Sequence, residues 1–300
     1  MQWDGGLHMA PRILVAGAGL MGSSLAKCLS TRGVVVYVYN RTVEKARALC
    51  SEAGCRVLEN LDSMPGFDAT VVFLFDDQAV SGFIEALVDK GLTAEAGVLM
   101  VSSTISPETS IRLHGLVTRA GGVYVEAPVY GSTGEASSCS LVSMLAGDQV
   151  ARSRAEEAAS LYSRRMYWVG GVPQAMALKL ALNNIGLALP GLLAESLALL
   201  EAYGVGSDVF RMVAGDLWFG SMVERYMERA MAAAGRPRFT VSGAAKDYRV
   251  IACTLAGKGY PPLVSQGLAG FYTLAASVMP GEDYPRAVNA YRVLKNPRPH

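Results

Sequence analysis

The pattern of hydrophobic and polar positions divides the chain into two halves. In the first half, short runs of β-branched and other apolar residues alternate with stretches of helical period. The predicted strands are residues 12–16, 34–39, 71–75, 98–101, 123–127 and 141–145, and the predicted helices are 22–29, 43–53, 79–88 and 107–120. This alternation predicts a mostly parallel sheet. The strands are apolar almost throughout, which indicates that helices cover both faces.

The second half of the chain contains helical patterns only. The predicted helices are residues 174–203, 207–214, 221–233, 243–256 and 262–277, and Pro190 should kink the first of them. We therefore predict an α/β protein with a doubly wound N-terminal domain at 11–171, a long interdomain helix and an all-α domain within 172–300. Residues 1–10 are interpreted as a leader outside the fold, with Met9 as an alternative natural start.

Composition excludes several classes of protein. Of the 300 residues, 51% are hydrophobic and only 18% are charged, which excludes disorder as the main state. The most apolar stretch, residues 175–200, is interrupted by Lys179, Asn183, Asn184 and Glu195. Because a spanning helix needs roughly 18 uninterrupted apolar residues, we expect no membrane segment. The apolar excess instead indicates buried helices and a subunit interface.

The polar residues narrow the choice of partners and cofactors. With 27 basic and 26 acidic residues and no basic stripe, nucleic acid is not expected as a partner. Five irregularly spaced cysteines predict neither a zinc site nor a disulfide framework, so a reducing cytoplasm is the default location. With only three histidines, we expect no metal site and no histidine-based acid/base chemistry.

A glycine loop follows the first predicted strand and opens the first predicted helix. Gly17 permits the tight turn, Gly19 lets the backbone approach a pyrophosphate, and Gly22 lets the helix pack on the strand. Leu20 and Met21 lie between the glycines and are further candidates for cofactor binding, and the N-terminus of the helix that follows offers free N–H groups to phosphates. The alternative is a plain glycine-rich turn, but the flanking strand and helix favour a Rossmann-type dinucleotide site.

The end of the second predicted strand indicates which dinucleotide binds. Asn40, Arg41 and Thr42 occupy the place where an acidic residue would bind the ribose 2′-hydroxyl of NAD. A guanidinium can hold a 2′-phosphate through paired hydrogen bonds, so the sequence favours NADP over NAD. The alternative for this turn is a helix start with Thr42 as N-cap and Lys45 reaching back across it.

Two later strand ends should also face the cofactor, because ligands bind at the carboxyl ends of parallel strands. The candidates for cofactor binding there are Leu74, Phe75, Asp76 and Thr104, and Ser103 is a candidate for substrate binding. The competing interpretation of the second strand end is structural. Ser106 would cap a helix that begins at Pro107, which explains the hydroxyl-rich segment without a ligand.

The segment 126–135 contains small residues after a strand, which exposes backbone N–H groups suited to a carboxylate, although any turn has such groups.

Lys179 and Asn183 lie four residues apart on an apolar helix and share one face. Burial lowers the pKa of an amine, which suits proton transfer. The alternative is a lysine that reaches solvent from the helix start. Lys246 and Asp247 are ambiguous alone, as a helix-start charge pair.

The chain as a whole resembles the β-hydroxyacid dehydrogenase family over residues 11–295. Gly17, Gly19, Met21 and Gly22 match that family's G-x-G-x-M-G pattern, and residues 126–132 resemble its substrate loop. The other matching residues are Gly171, Lys179 and Asn183, which resemble the catalytic helix, and Lys246 with Asp247, which resemble the pair that closes over cofactor and substrate. The sequences at 40–42 and 126–128 are closest to the NADPH-using glyoxylate/succinic semialdehyde reductase branch.

The resemblance implies a metal-free hydride transfer between a nicotinamide and a small β-hydroxyacid or its semialdehyde or oxoacid. In it, Lys179 exchanges the proton with the substrate oxygen, and Asn183 orients substrate or Lys179. The remaining implied substrate contacts are Tyr130, Gly131, Ser132, Lys246 and a hydroxyl from Ser103 or Thr104, and Lys246 also contacts the cofactor. Relatives form dimers or tetramers, so a homodimer or homotetramer is expected.

One residue departs from the family pattern. The family's usual loop serine is Tyr130 here, and the larger ring leaves the identity of the substrate open. Relatives that decarboxylate 6-phosphogluconate carry histidine where this chain has Leu182. Two alternatives to a hydroxyacid enzyme remain open, namely a non-catalytic NADP-binding regulatory module and an imine-type reductase.

Overall fold

A computed structural model describes residues 10–233 and 235–295 of the chain. The predicted leader and alternative start lie outside the described residues, apart from Ala10. The chain divides into two compact units, residues 1–179 and 180–300, which are described separately below. The predicted α/β class, the sheet of mainly parallel strands and the helical C-terminal part are confirmed.

The first unit is built on a nine-stranded sheet. Its strands are β1 (Arg12–Ala16), β2 (Val35–Tyr39), β3 (Arg56–Val57), β4 (Ala69–Val72), β5 (Val98–Val101), β6 (Val123–Glu126), β7 (Val129–Tyr130), β8 (Leu141–Gly147) and β9 (Ser163–Gly170). The spatial order is β3-β2-β1-β4-β5-β6-β8-β7, and β9 pairs with β8. The pairs from β3 to β6 are parallel, and β8 runs antiparallel to β6 and β7.

Helices cover both faces of this sheet. They are α1 (Leu20–Ser30), α2 (Val43–Ala53), α3 (Asp77–Asp89), α4 (Pro107–Arg119), α5 (Thr133–Ser137) and α6 (Arg152–Ser160). Alternate residues of β1 enter opposite cores: Ile13 and Val15 pack in one, and Leu14 and Ala16 in the other. A strand buried on both faces needs apolar residues at every position, which explains the continuous apolar runs in the sequence.

Several elements of this unit do not follow the predicted pattern. β4 begins two residues earlier than predicted and ends at Val72, so Leu74 and Phe75 lie beyond it. Strands β3, β7 and β9 and helices α5 and α6 were not expected. β9 carries the exposed Arg164 and Arg165 near its start but continues with an apolar run at 166–169, a strand signal that the prediction missed. β3, β7 and α5 are too short for periodicity to identify.

The predicted long helix over 174–203 is in fact two helices. α7 covers Gln174–Gly186 and α8 covers Leu189–Ala202, with a turn at Leu187 and Ala188 between them. The expected kink at Pro190 takes the form of this break, because the missing N–H of Pro190 would otherwise bond the Gly186 carbonyl one turn earlier. Proline has no N–H to donate and fits the first turn of a helix, which is where α8 holds it.

The second unit consists of helices around two apolar cores. After α8 come α9 (Ser207–Gly215), α10 (Gly220–Met231), α11 (Val241–Gly257), α12 (Leu263–Val278) and α13 (Ala290–Lys295). Three tyrosine hydroxyls donate to carbonyls at the C-terminal end of α7. These bonds are Tyr248 to Asn184 at 2.8 Å, Tyr226 to Gly186 at 2.7 Å and Tyr272 to Leu187 at 2.7 Å. They satisfy acceptors that the end of a helix leaves without intrahelical partners.

The stretch Gln174–Ala202, which joins α7 and α8, is long and apolar enough to cross a membrane when judged by length and composition alone. Core helices of globular proteins pass the same test. Here the Asn183 amide donates to the buried Asp247 carboxylate, and the tyrosines above bond its carbonyls. These polar partners lie toward the C-terminal end of α7, and only 28% of the apolar window is buried within the described residues, so most of that window is not buried there.

Two disulfides contradict the expectation that the cysteines are unpaired. Cys28 of α1 is bonded to Cys139, with 5.7 Å between their Cα atoms, and Cys50 is bonded to Cys55 across the end of α2. The longer bridge spans 111 residues of sequence. Irregular spacing could not reveal it, because the two cysteines meet only when α1 packs beside α5. Cys139 has φ of +52°, a conformation that non-glycine residues seldom adopt.

The carboxylate of Glu126 connects the end of β6 to the start of α7. One oxygen accepts the N–H groups of Ala175 at 2.9 Å and Met176 at 3.2 Å, and the other accepts the Ser110 hydroxyl at 2.5 Å. Glu126 is 0% exposed. Its negative charge lies where the helix dipole is positive and N–H groups lack intrahelical partners. These bonds tie the first turn of α7 to the first unit, which extends to Lys179. The predicted domain boundary at 171/172 remains a prediction.

Burial raises the pKa of Glu126, although the three donors oppose this effect. Compared with the unfolded chain, the native state therefore favours the protonated form of this carboxyl. Its contribution to stability is greatest below the unfolded pKa of 4.5 and falls as pH rises through the raised native pKa. Glutamine does not titrate. We predict that the free energy of unfolding of the wild type, minus that of Glu126→Gln, decreases as pH rises from 4.5, as measured by denaturant unfolding at several pH values.

The control for this measurement is Glu85→Gln, which removes an exposed carboxylate paired with Arg112 and should not reproduce the decrease. Glu126→Ala should destabilise at every pH, because each buried donor left without a partner costs about 1–3 kcal/mol. A wild-type minus Gln difference that increases with pH would contradict the assignment, since it would mean that the native state prefers the ionised carboxylate.

Candidate functional site

The glycine loop has the geometry of a dinucleotide cradle. Gly17 has φ of +117°, and a Cβ there would strike the backbone of Phe73. A Cβ on Gly22 would strike the carbonyl of Gly17, so helix and loop approach as closely as predicted. Gly19 differs, because a Cβ there would meet nothing within 4 Å. The face of Gly19 is thus open toward the position where a pyrophosphate would lie.

The start of α1 complements that open face. Gly19 is the N-cap, Leu20 and Met21 begin the helix, and its first turn carries no acidic residue. N–H groups in the first turn of a helix have no intrahelical acceptor and attract phosphate. β1 and β4 are neighbours from which the chain winds in opposite directions, and ligands bind at such a switch point. The loop therefore fits a dinucleotide, with its phosphates on α1.

Asn40 has a structural contact that the sequence did not indicate. Its side-chain oxygen accepts the Ala18 N–H at 3.0 Å, and its amide donates to the Thr42 carbonyl at 2.8 Å. Asn40 thereby fastens the glycine loop to the end of β2. Thr42 is the N-cap of α2 as expected, but its side chain makes no capping hydrogen bond. The Arg41 side chain is exposed beside this turn.

The polar residues at the next strand ends have mostly structural contacts. Ser103 accepts the Leu74 N–H at 2.8 Å and donates to the Val72 carbonyl at 3.1 Å, so its buried hydroxyl joins two strand ends. Asp76 caps α3 by accepting the Ala79 N–H at 2.9 Å. For Ser103, these bonds favour a positioning role over the predicted contact with substrate.

The same region confirms the structural alternative for Ser106, which caps α4 with Pro107 as the first helical residue. Thr104 is half-buried and Phe75 is exposed at this edge of the sheet. The predicted cofactor contacts of Leu74, Phe75, Asp76 and Thr104 remain predictions.

The substrate loop turns at Gly131, which has φ of +134°. A Cβ at this position would lie 2.8 Å from Leu141 Cδ2, so the turn requires glycine. Beyond it, Glu135 accepts the Ser132 N–H at 2.8 Å and the Ser132 hydroxyl at 2.7 Å. These bonds favour a structural role for Ser132, because a carboxylate of the protein accepts its N–H, and its predicted contact with substrate remains a prediction. Gly131 remains the candidate donor.

Lys179 lies against the substrate loop. Its Nζ is 5.1 Å from the centre of the Tyr130 ring, within the roughly 6 Å range of a cation–π contact. Lys179 is half-buried, and it follows Ala175, whose N–H is bonded to Glu126, by about one helical turn. The structure thus brings together the predicted proton donor and the loop residue that departs from the family pattern.

The second unit carries the other predicted polar residues as one buried cluster. The Asn183 amide donates to Asp247 at 2.7 Å, and Lys246 Nζ lies 2.6 Å from the other Asp247 oxygen. Asp247 is 1% exposed and Lys246 is 8% exposed. A carboxylate only accepts hydrogen bonds, so Asp247 determines which way the Asn183 amide faces. The predicted contacts of Asn183 and Lys246 with substrate and cofactor remain predictions.

Sequence reasoning missed two carboxylates that hold α7. Glu126 and Asp247 were noted only as members of matching motifs, yet they bond the first turn of α7 and Asn183 respectively. A glutamate followed by Ala-Pro gives no local sign of a partner 49 residues away. In residues 10–233 and 235–295, no three His, Cys, Asp or Glu side chains are grouped so as to hold a metal ion.

Comparison with known proteins agrees with the dinucleotide site described above and identifies the family. Residues 12–170 match the family model for the NAD-binding domain of 6-phosphogluconate dehydrogenase. The uncharacterized oxidoreductase YfjR of Bacillus subtilis is 31% identical over 215 residues, which cover 71% of this chain and 74% of that protein. Glyoxylate/succinic semialdehyde reductase 1 of Arabidopsis thaliana is 29% identical over 197 residues, covering 64% of this chain and 67% of the reductase.

A solved structure agrees with the fold. The 3-hydroxyisobutyrate dehydrogenase of Mycobacterium tuberculosis, determined with L-serine, has a TM-score of 0.79 at 20% sequence identity. The match covers 95% of this chain and all of that one. Together with the dinucleotide cradle of the first unit, the matches to the domain and to YfjR show that the chain belongs to the β-hydroxyacid dehydrogenase family, with an N-terminal nicotinamide-dinucleotide-binding domain.

Proposed function

We propose that the protein is an NADP-dependent oxidoreductase that interconverts a small β-hydroxyacid and its semialdehyde or oxoacid. The observation that carries this proposal is the position of the Lys179 ammonium beside the substrate loop at Tyr130. An ammonium at this loop is placed to exchange a proton with a substrate oxygen. The similarity to a glyoxylate/succinic semialdehyde reductase and the membership of the family support the same reaction class.

In the direction of reduction, Lys179 gives a proton to the carbonyl oxygen as the carbonyl carbon becomes the alcohol carbon. Bound nicotinamide supplies the hydride. Gly131, where the loop turns, offers its N–H to the substrate carboxylate. Glu126 holds the helix that carries Lys179, so the proton donor keeps its place while substrates exchange. In oxidation the same amine, once deprotonated, accepts the hydroxyl proton.

The preference for NADP rests on the turn after β2. Asn40 replaces the acidic residue that would repel a 2′-phosphate, and its side chain is committed to Ala18 and Thr42. The exposed Arg41 guanidinium beside it is suited to hold that phosphate through charge-assisted hydrogen bonds.

We also propose that the protein forms a homo-oligomer through the helical unit. Residues 182–222 hold 12 of the 25 large apolar side chains that are exposed in the described ranges. Trp218, at 88% exposure, is the largest of them. Large apolar side chains in water are costly, and burial against a second copy would remove many of them from solvent. The cytoplasmic location stays a prediction, and the two disulfides are more usual in oxidising compartments.

Lys179→Ala tests the proposed chemistry. With a panel of small aldehyde acids that includes 3-oxopropanoate, the semialdehyde of a β-hydroxyacid, we expect turnover of NADPH to fall roughly 10²–10⁴-fold, which is the usual contribution of general acid catalysis. The affinity for NADPH should change little, because Lys179 is assigned to the substrate. Lys90→Ala, which removes an exposed lysine paired with Asp62, is the control for loss of a charge.

The same assay separates the alternatives. Unchanged turnover in Lys179→Ala would refute the assignment of the proton donor. A wild-type protein that binds NADPH but reduces no acid in the panel would support the non-catalytic module. Turnover that appears only when an amine or ammonia is added with the carbonyl substrate would support the imine-type reductase.

Arg41→Ala tests the cofactor preference. Loss of a charge-assisted contact worth about 1.5–3 kcal/mol should raise the Kd for NADPH roughly 10- to 100-fold and leave the Kd for NADH nearly unchanged. Calorimetry or cofactor fluorescence measures both constants. The matched control is Arg47→Ala, which removes a guanidinium of α2 that pairs with Glu59. Equal weakening of both cofactors by Arg41→Ala would contradict a contact with the 2′-phosphate.

Trp218→Glu tests the proposed oligomer. We expect the mass from light scattering to fall from that of a dimer or tetramer toward one chain of 31.7 kDa, because a charge would be buried in the interface. Val150→Glu is the control, since Val150 is also strongly exposed but lies in the first unit. A wild-type protein of one-chain mass would overturn the proposal.

A further inference from the structure

Tyr130 occupies a position that fixes the direction of its ring. It is the last residue of β7, opposite Val142 of β8. Successive strand residues face opposite sides, and the neighbouring Val129 is buried while Tyr130 is 46% exposed. The next residue is Gly131, whose turn admits no side chain, and Ser132 beyond it is held by Glu135. The ring therefore stands on a backbone that is anchored on both sides.

Lys179, the partner of this ring, is anchored as well. The first turn of α7 is bonded to Glu126, which belongs to the same loop region as Tyr130. Both groups of the Lys179–Tyr130 contact are thus held by the segment 126–132 and the helix it caps. An ammonium over an aromatic face is attracted by the ring's electron density, and such a contact restricts a side chain that otherwise samples many rotamers.

Resting on the hydroxyacid chemistry proposed above, we propose that Tyr130 is a positioning and specificity-determining residue of this enzyme. Its ring face holds the Lys179 ammonium in place for proton transfer. Its bulk also closes space beside that ammonium which a small side chain would leave open. The substrates that fit are short acids whose carbon next to the reacting carbonyl carries no branch. A methyl group on that carbon would contact the ring.

The contribution of the ring is distinct from that of the hydroxyl. The cation–π contact and the steric limit both depend on the aromatic ring, which phenylalanine keeps and serine removes. Tyr130→Phe is therefore the matched control for Tyr130→Ser. Because the side chain is about half exposed on a two-residue strand, neither substitution opens a cavity in the core.

Steady-state reduction by NADPH tests both parts of the proposal. The unbranched substrate is 3-oxopropanoate, and the branched one is 2-methyl-3-oxopropanoate, which differs from it only by the methyl group. We expect Tyr130→Phe to retain wild-type kcat within about threefold. Tyr130→Ser should lower kcat on 3-oxopropanoate about tenfold with little change in KM, because the ammonium of the proton donor is no longer held in position. It should also raise the preference for the branched over the unbranched acid about 10- to 100-fold, the usual range for one carbon in a pocket.

A second measurement does not require turnover. Limited acetylation followed by mass spectrometry gives the relative reaction rate of each lysine. Lys179 should react several-fold faster in Tyr130→Ser than in the wild type or Tyr130→Phe, whereas Lys27, paired with Glu52, serves as an internal reference and should not change. If the wild type and both variants reduce none of the acids, the proposed function fails. The acetylation rate of Lys179 still reports whether the Tyr130 ring restricts its ammonium.

The results that would overturn the proposal are specific. If Tyr130→Ser keeps both the wild-type kcat and the wild-type preference between acids, the ring neither positions nor selects. If Tyr130→Phe loses as much kcat as Tyr130→Ser, the hydroxyl and not the ring face is responsible. If Lys179 is acetylated at the same rate in all three proteins, the ring does not hold the ammonium.

Discussion

A buried carboxylate at the start of α7 is the interaction on which the first unit's chemistry depends. Glu126 has no exposed surface, yet it faces two backbone N–H groups and a serine hydroxyl. Removing a carboxylate from water is costly unless donors replace the water, and the first turn of a helix provides such donors. The helix that carries Lys179 therefore begins at a position set by the end of a central strand.

The second unit repeats this solution with another carboxylate. Asp247 accepts the amide of Asn183 and lies beside the ammonium of Lys246. A buried ion pair is stable only when its remaining hydrogen-bonding capacity is satisfied, and Asn183 contributes to that satisfaction. In each unit, a buried carboxylate outside α7 bonds this helix: Glu126 accepts N–H groups of its first turn, and Asp247 accepts the Asn183 amide. Residues that are expected to contact ligand are thus held in place by residues that are not expected to contact it.

Local sequence was sufficient for the parts of the molecule that local physics determines. The glycine loop, the alternation of strands with helices and the cap at Ser106 all depend on neighbours within a few residues. The partners of Asn40, Glu126 and Asp247 depend on contacts between residues that lie far apart in the sequence. Lys179 and Asn183 could be identified as candidates because polar residues on an apolar helix are costly to bury without partners. The aromatic ring beside Lys179 could not be predicted from the spacing of residues in the sequence.

The bridge between Cys28 and Cys139 gives the first unit a dependence on its redox surroundings. It joins α1, which opens the dinucleotide cradle, to the segment just after α5, across 111 residues. A closed loop of that length removes much of the freedom of the unfolded chain, worth about 4–5 kcal/mol in the chain-entropy account. In a thiol-rich medium that contribution disappears without any residue of the cradle or the substrate loop being altered. The thermal stability of the cofactor domain therefore depends on the oxidation state of two cysteines that belong to neither the cradle nor the substrate loop.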